Sequence, residues 1–148
     1  AVYTSPLARA HRTGEIIAAC AGLPESAVVV LPEFIERDMG EYSGQFIKDR
    51  ADYFAIAAGV DFGGMEPFSA VLERMKRGLQ ILSETGYDTI AAVSHGAAIN
   101  VLLAVLSDNQ LGTGKTKLYN GSITVLEGDR ENGYRITACN LRPEELKG

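Results

Sequence analysis

The sharpest chemical signal in the sequence is a histidine at a strand-to-helix joint. His95 follows the apolar run Thr89–Ser94 and precedes Gly96, where a backbone N–H can approach a ligand closely. The apolar stretch Ala97–Ser107 then begins a helix, whose first N–H groups and positive dipole end suit an anion. A histidine there can donate to a phosphoryl oxygen or take part in proton transfer; the plainer alternative is that it only caps its helix. A second joint, Tyr3-Thr4-Ser5-Pro6-Leu7-Ala8-Arg9, places Arg9 about one turn into the first helix. A cation there opposes the helix dipole. A bound anion removes that penalty, and the guanidinium fork matches phosphate oxygens. The loop Glu33–Gly40 adds carboxylates beside a strand end, one of which, near a phosphate, can act as a general acid; the alternative is a solvated charged loop.

Other candidates are weaker. His11, inside a helix among polar neighbours, reads as solvated, and Arg12 and Arg37 read as exposed and locally paired. Leu111-Gly112-Thr113-Gly114-Lys115-Thr116 ends like a phosphate-binding loop but lacks its first glycine, Asn109 standing in that place, and a helix precedes it where a strand is required. Cys20 and Cys139 have no Cys or His at ligand spacing and read as buried free thiols.

The elements that must position these groups alternate. Ala1–Ser5 reads as a strand, with Ser5-Pro6 as N-cap and first helical residue of a helix running to Cys20. Val28–Leu31 is an unbroken β-branched run of the kind buried on both faces of a parallel sheet. Pro32–Gly44 reads as loop and Gln45–Ala58 as helix. Phe68, Val71, Leu72, Met75, Leu79 and Leu82 form the apolar face of a further helix, turned away from Glu73, Arg74, Lys76 and Arg77. Thr89–Ser94 is a third strand, and Ser122–Glu127 and Tyr134–Asn140 form a hairpin around Asn132-Gly133. The pattern is α/β, a mostly parallel sheet with an antiparallel end, and ligands in such sheets sit beyond the strands' carboxyl ends.

Composition narrows the field. The 148 residues fit one domain, and 46% apolar with 22% charged excludes a disordered or fibrous chain. The net charge of -5 leaves no basic footprint for nucleic acid. No apolar run approaches the roughly 18 residues of a membrane helix, so no membrane partner is expected. The opening Ala1–Ser5 already has strand composition rather than that of a signal peptide. The free thiols point to a reducing, cytoplasmic setting.

Taken in order, Tyr3-Thr4-Ser5-Pro6-Leu7-Ala8-Arg9-Ala10 with Thr13, then Leu31, Glu36, Gly40 and Gly44, then Val93-Ser94-His95-Gly96 with Ile99, then Asn120-Gly121-Ser122-Ile123-Thr124 resemble the histidine phosphatase superfamily, the phosphoglycerate mutase-like proteins. The resemblance runs from the first residue nearly to the last. It implies a three-layer α/β/α sandwich and a phosphohistidine intermediate formed on a phosphomonoester, without metal or other cofactor. It implies that Arg9 holds the phosphoryl oxygens, that Glu36 protonates the leaving oxygen and later activates water, that His95 stabilises the transferring phosphoryl charge, and that the backbone of Gly96 and Ala97 adds donors. The implied partner is a small phosphorylated substrate, and a homo-oligomer is compatible with it.

One departure is large. Members of that family open with a strand ending in Arg-His-Gly, whose histidine is the nucleophile, and that motif does not occur here; the only His-Gly follows Ser94. The chain starts without Met where the family's second strand starts, so residues 1–148 read as one N-terminally incomplete domain lacking that strand. Two expectations follow. By itself the polypeptide has no phosphatase turnover, because covalent catalysis needs the missing histidine. It is also poorly stable by itself, because a sheet without an internal strand leaves backbone groups unpaired. The short stretch between Glu36 and His95 resembles the compact phosphatase branch rather than the mutases. Gln45–Pro67, with Tyr53, Phe54, Phe62 and Met65, reads either as a lid lining a partly apolar pocket or as core. A mutase-type phosphoryl transferase and a non-catalytic phosphate-binding module remain the alternatives.

Overall fold

Val2–Thr4 (β1) lies at the centre of a parallel sheet in the computed structural model, which describes residues 1–44 and 63–146. It pairs with Val28–Val30 (β2) on one side and Ala91–Val93 (β3) on the other. Side chains alternate across the sheet, so β1 serves two layers. Val2 and Thr4 face the helix Ala8–Cys20 (α1). That helix buries Ala10, Gly14 and Ala18, one stripe of small residues. The approach is close: a Cβ on Gly14 would stand 2.2 Å from the Thr4 Cγ2. Tyr3 faces the opposite layer and joins a core with Leu31, Phe34, Val71, Met75, Leu82, Ala98, Val101 and Leu102.

That layer is built by helices Phe68–Ser83 (α2) and Gly96–Leu106 (α3). The hairpin Ile123–Asp129 (β4) and Gly133–Leu141 (β5) is antiparallel and forms a separate two-stranded sheet. It is tied to α2 by the Tyr134 hydroxyl, which donates to the Leu79 carbonyl. The observed architecture is the expected one: a mostly parallel sheet between helical layers, with an antiparallel pair.

Several local expectations are corrected. Val29 and Val30 are 41% and 44% exposed, not buried on both faces, because β2 is an edge strand. Helix α1 begins at Ala8 rather than Pro6; Ser5 does not cap it but turns its hydroxyl toward the Leu7 N–H and His95. Pro32–Gly44 contains two short 3-10 turns, Pro32–Phe34 and Gly40–Tyr42. Cys20 is exposed and Cys139 half-buried, and both are free. The helix expected at Gln45–Ala58 lies outside the described residues, as do Tyr53, Phe54 and Phe62; Met65 is buried. No helix among the described residues is long and apolar enough to cross a membrane.

Candidate active site

The carboxyl ends of β1 and β3 lie side by side, with the Ser5 N–H donating to the Val93 carbonyl at 2.9 Å. This brings the two joints picked out in the sequence together. Ser5 is fully buried, and its Oγ stands 2.7 Å from His95 Nε2. The same Oγ accepts the Leu7 N–H at 3.2 Å, which turns the chain into α1 and sets Arg9, exposed, on the helix's first turn. His95 is the N-cap residue of α3, in extended backbone conformation, and its side chain makes no capping bond.

Glu36 supplies that cap from the loop after β2. Its Oε1 accepts the N–H groups of Arg37 (2.8 Å) and Ala98 (3.0 Å), and its Oε2 accepts that of Ala97 (3.3 Å). A carboxylate on the free N–H groups of a helix start is favourable both by hydrogen bonding and by the dipole. The N–H of Ala97, expected to donate to a phosphoryl oxygen, therefore has the chain's own carboxylate as its acceptor here. Gly96, just before it, is exposed.

His95 is buried, and burial pushes its pKa below the ordinary value. The Glu36 carboxylate opposes that lowering, while the Arg9 and Arg74 guanidinium groups add to it. His95 thus lies within the field of Arg9 and Glu36 together, and the neutral imidazole is favoured. The rim thus gathers a histidine, a carboxylate and a guanidinium around the start of α3.

Other residues emerge that the sequence reading missed or misplaced. Arg74, expected on the solvent face of α2, is 8% exposed. Its Nε and second terminal nitrogen grip the two oxygens of Glu66 at 2.8 and 2.9 Å, and its first donates to the carbonyls of Glu33 (2.8 Å) and Ile35 (2.6 Å). Arg37 is likewise buried rather than exposed; it stacks 4.2 Å over the Phe68 ring and donates from Nε to the Glu66 carbonyl. Ser94 Oγ donates to the Phe34 carbonyl at 2.8 Å. His11 is half-buried, its Nδ1 3.2 Å from Thr4 Oγ1, whereas Arg12 pairs with Glu15 at the surface as expected. An arginine at α2's buried spacing, and a serine beside His95, were the available signals. Among the described residues, no group of three or more His, Cys, Asp or Glu side chains is arranged to hold a metal.

The family model of the histidine phosphatase superfamily (branch 1) matches residues 1–141. The chain belongs to that superfamily. It is 30% identical over 141 residues to the uncharacterized phosphatase PhoE of Bacillus subtilis (strain 168), covering 95% of this chain and 69% of that protein. Two solved structures share the histidine phosphatase fold. Bacillus stearothermophilus YhfR superposes with a TM-score of 0.79 at 20% identity, over 98% of this chain and 75% of that one. A mycobacterial glucosyl-3-phosphoglycerate phosphatase, solved with VO3, gives 0.78 at 22% identity, over 95% and 75%.

Proposed function

We propose that this chain carries most of the active site of a phosphomonoester hydrolase that works through a phosphohistidine intermediate. The observation that supports this reading is the meeting of Glu36 and His95 at the start of α3, beside the joint that carries Arg9, with both Glu36 and Arg9 acting electrostatically on His95. In this reading Arg9 holds the phosphoryl oxygens, and neutral His95 donates to one of them from the ring nitrogen not engaged by Ser5. The Gly96 N–H adds a donor. Glu36 protonates the leaving oxygen and then takes a proton from the attacking water; as it turns to the substrate it releases the Ala97 N–H, which becomes a phosphate donor. The phosphatase relative and the compact stretch between Glu36 and His95 favour hydrolysis over mutase-type transfer.

The nucleophilic histidine belongs, in this proposal, to a segment preceding residue 1, whose strand lies between β3 and β4. Two observations support the assignment. Among the described residues the strands fall into two separate sheets, three parallel and two antiparallel. In β3 the Ala91 N–H and Val93 carbonyl bond toward β1, so by the alternation of a parallel ladder the backbone groups of Ala92 point to the other edge. The test is incubation of the longest natural form with a phosphomonoester. Acid-labile phosphate on a histidine is expected, and its absence overturns the mechanism. The 148-residue chain by itself is expected to leave p-nitrophenyl phosphate intact; turnover by it refutes the upstream nucleophile. An upstream segment without Arg-His-Gly would instead favour a phosphate-binding module.

A further inference from the structure

From the loop contacts we infer that Arg74, Glu66 and Ser94 are positioning residues that hold Glu36 in place for the proton transfer proposed above. The inference deepens that reading and rests on it for the purpose of the device, not for its existence.

Glu36 projects from a loop, and a loop carboxylate is poorly placed by default: long side chains carry rotamer entropy, and loop backbone is free to move. Here three successive carbonyls just before Glu36 are captured by side chains from other elements. Arg74 of α2 takes those of Glu33 and Ile35, and Ser94 at the end of β3 takes that of Phe34. On the far side of Glu36, Asp38 is held through both backbone groups. Its N–H donates to Glu66 Oε2 at 3.2 Å, and its carbonyl accepts the Glu66 N–H at 2.9 Å. Glu66 fastens the two halves together, because the same carboxylate grips the Arg74 fork. The Arg74 pair pulls the Glu66 carboxyl below its ordinary pKa, as a retained carboxylate requires. Glu36 thus lies on a segment pinned on both sides, and Ser94 couples that segment to the strand that carries His95.

Chemistry selects arginine here. One planar guanidinium serves two carboxylate oxygens and two carbonyls at once, which a single ammonium cannot do. None of the three residues is needed to contact substrate. Their effect runs through the Glu36 carboxylate and is read where that carboxylate lands, on the Ala97 and Ala98 amides.

The experiment follows the Ala97 and Ala98 amide protons and the Glu36 side-chain carboxyl carbon by NMR through an acid titration, with hydrogen exchange at the same amides. In the unaltered protein the two amides are expected to titrate with the Glu36 carboxyl. In Glu66→Gln, Ser94→Ala and Arg74→Lys the amides are expected to stop following Glu36 and to exchange about tenfold faster or more, while α1 amides keep their protection. Ser94→Ala and Glu66→Gln keep the test available if the Arg74 variant fails to fold. Glu36→Gln is the reference that abolishes the coupling directly. If Glu36→Gln abolishes it and the other variants leave it intact, the positioning role is wrong. If the amides never follow Glu36, the carboxylate is not on the helix and the inference falls with it. Failure of histidine phosphorylation with the coupling intact overturns the catalytic reading instead, and leaves these residues holding a helix cap.

Discussion

Replacing Ser5 with alanine tests the heart of the site, because this hydroxyl links the end of β1 to the His95 ring. Ser5 is 0% exposed and its Oγ serves His95 Nε2 at 2.7 Å and the Leu7 N–H at 3.2 Å. The substitution removes one oxygen and leaves a buried imidazole nitrogen and a partly buried amide without their partner. An orphaned buried polar group costs about 1–3 kcal/mol. The Leu7 amide, half-exposed, recovers water, so the expected loss is about 1.5–2.5 kcal/mol and is dominated by His95. At roughly 2–4 °C per kcal/mol for a domain of this size, Tm falls by about 3–10 °C. The matched control is Thr4→Ser, which keeps the hydroxyl that meets half-exposed His11 and is expected to cost less than the Ser5 change. The assay is a urea midpoint with the His95 ring nitrogens followed by 15N NMR, since Ser5→Ala must also shift the balance of imidazole tautomers. A loss below about 0.5 kcal/mol together with unchanged ring-nitrogen shifts refutes the argument that Ser5 holds His95.

Acidification is expected to destabilise the protein in two steps. His95 has a lowered pKa, so the unfolded chain binds its proton first; stability falls as pH drops below the ordinary value near 6.5 and stops falling once the folded form is protonated too. Glu66 is also lowered, by Arg74, so its contribution is present above the ordinary carboxylate range and is lost as pH falls through the folded pKa. Urea midpoints from pH 8 to 3 check this, with His95→Asn flattening the upper step and Glu66→Gln the lower. Gly14→Val is expected to cost about 1–3 kcal/mol by driving α1 off β1, since the first added carbon already stands 2.2 Å from Thr4 Cγ2; a melt that rises instead refutes the close approach. Glu36→Gln in the phosphorylatable form is expected to retain histidine labelling by p-nitrophenyl phosphate, whose leaving group needs no proton, while turnover falls by about 10²–10⁴, measured as decay of the label.

The parallel strands, α2 and the hairpin were legible because their periodicities are local: three short parallel strands, an amphipathic α2 and the Asn132-Gly133 turn all lie where the pattern placed them. That the joints carrying Arg9 and His95 lie side by side was legible only because strand ends in a parallel sheet share one rim. What escaped was tertiary. Arg74 carries a charge, and charge usually marks the solvent face, but Glu66 and two loop carbonyls repay its burial. Val28–Val30 reads as a doubly covered strand because β-branched runs usually are, yet its place at the sheet edge leaves two valines exposed. Ser5 followed by Pro6 looks like a cap, and no local rule reveals that a histidine ninety residues away competes for its hydroxyl.

The position of Glu36 carries a consequence for how the proposed acid is used. As a carboxylate it is stabilised by the Ala97 and Ala98 N–H groups and by the positive end of α3. A phosphoryl group seeks the same N–H groups with more charge. In the proposed reaction the two anions would repel, and the side chain would leave the helix for the substrate's bridging oxygen, where the general acid is needed. The segment from Glu33 to Asp38 need not move for this; the side chain turns while the pinned backbone stays. Phosphate binding would then have to displace the Glu36 side chain from the Ala97 and Ala98 amides. Measured binding of inorganic phosphate to the unaltered protein and to Glu36→Gln checks it. The variant, with no carboxylate to displace, is expected to bind phosphate more tightly. Equal affinities in the two proteins would show that Glu36 and phosphate do not compete for the start of α3.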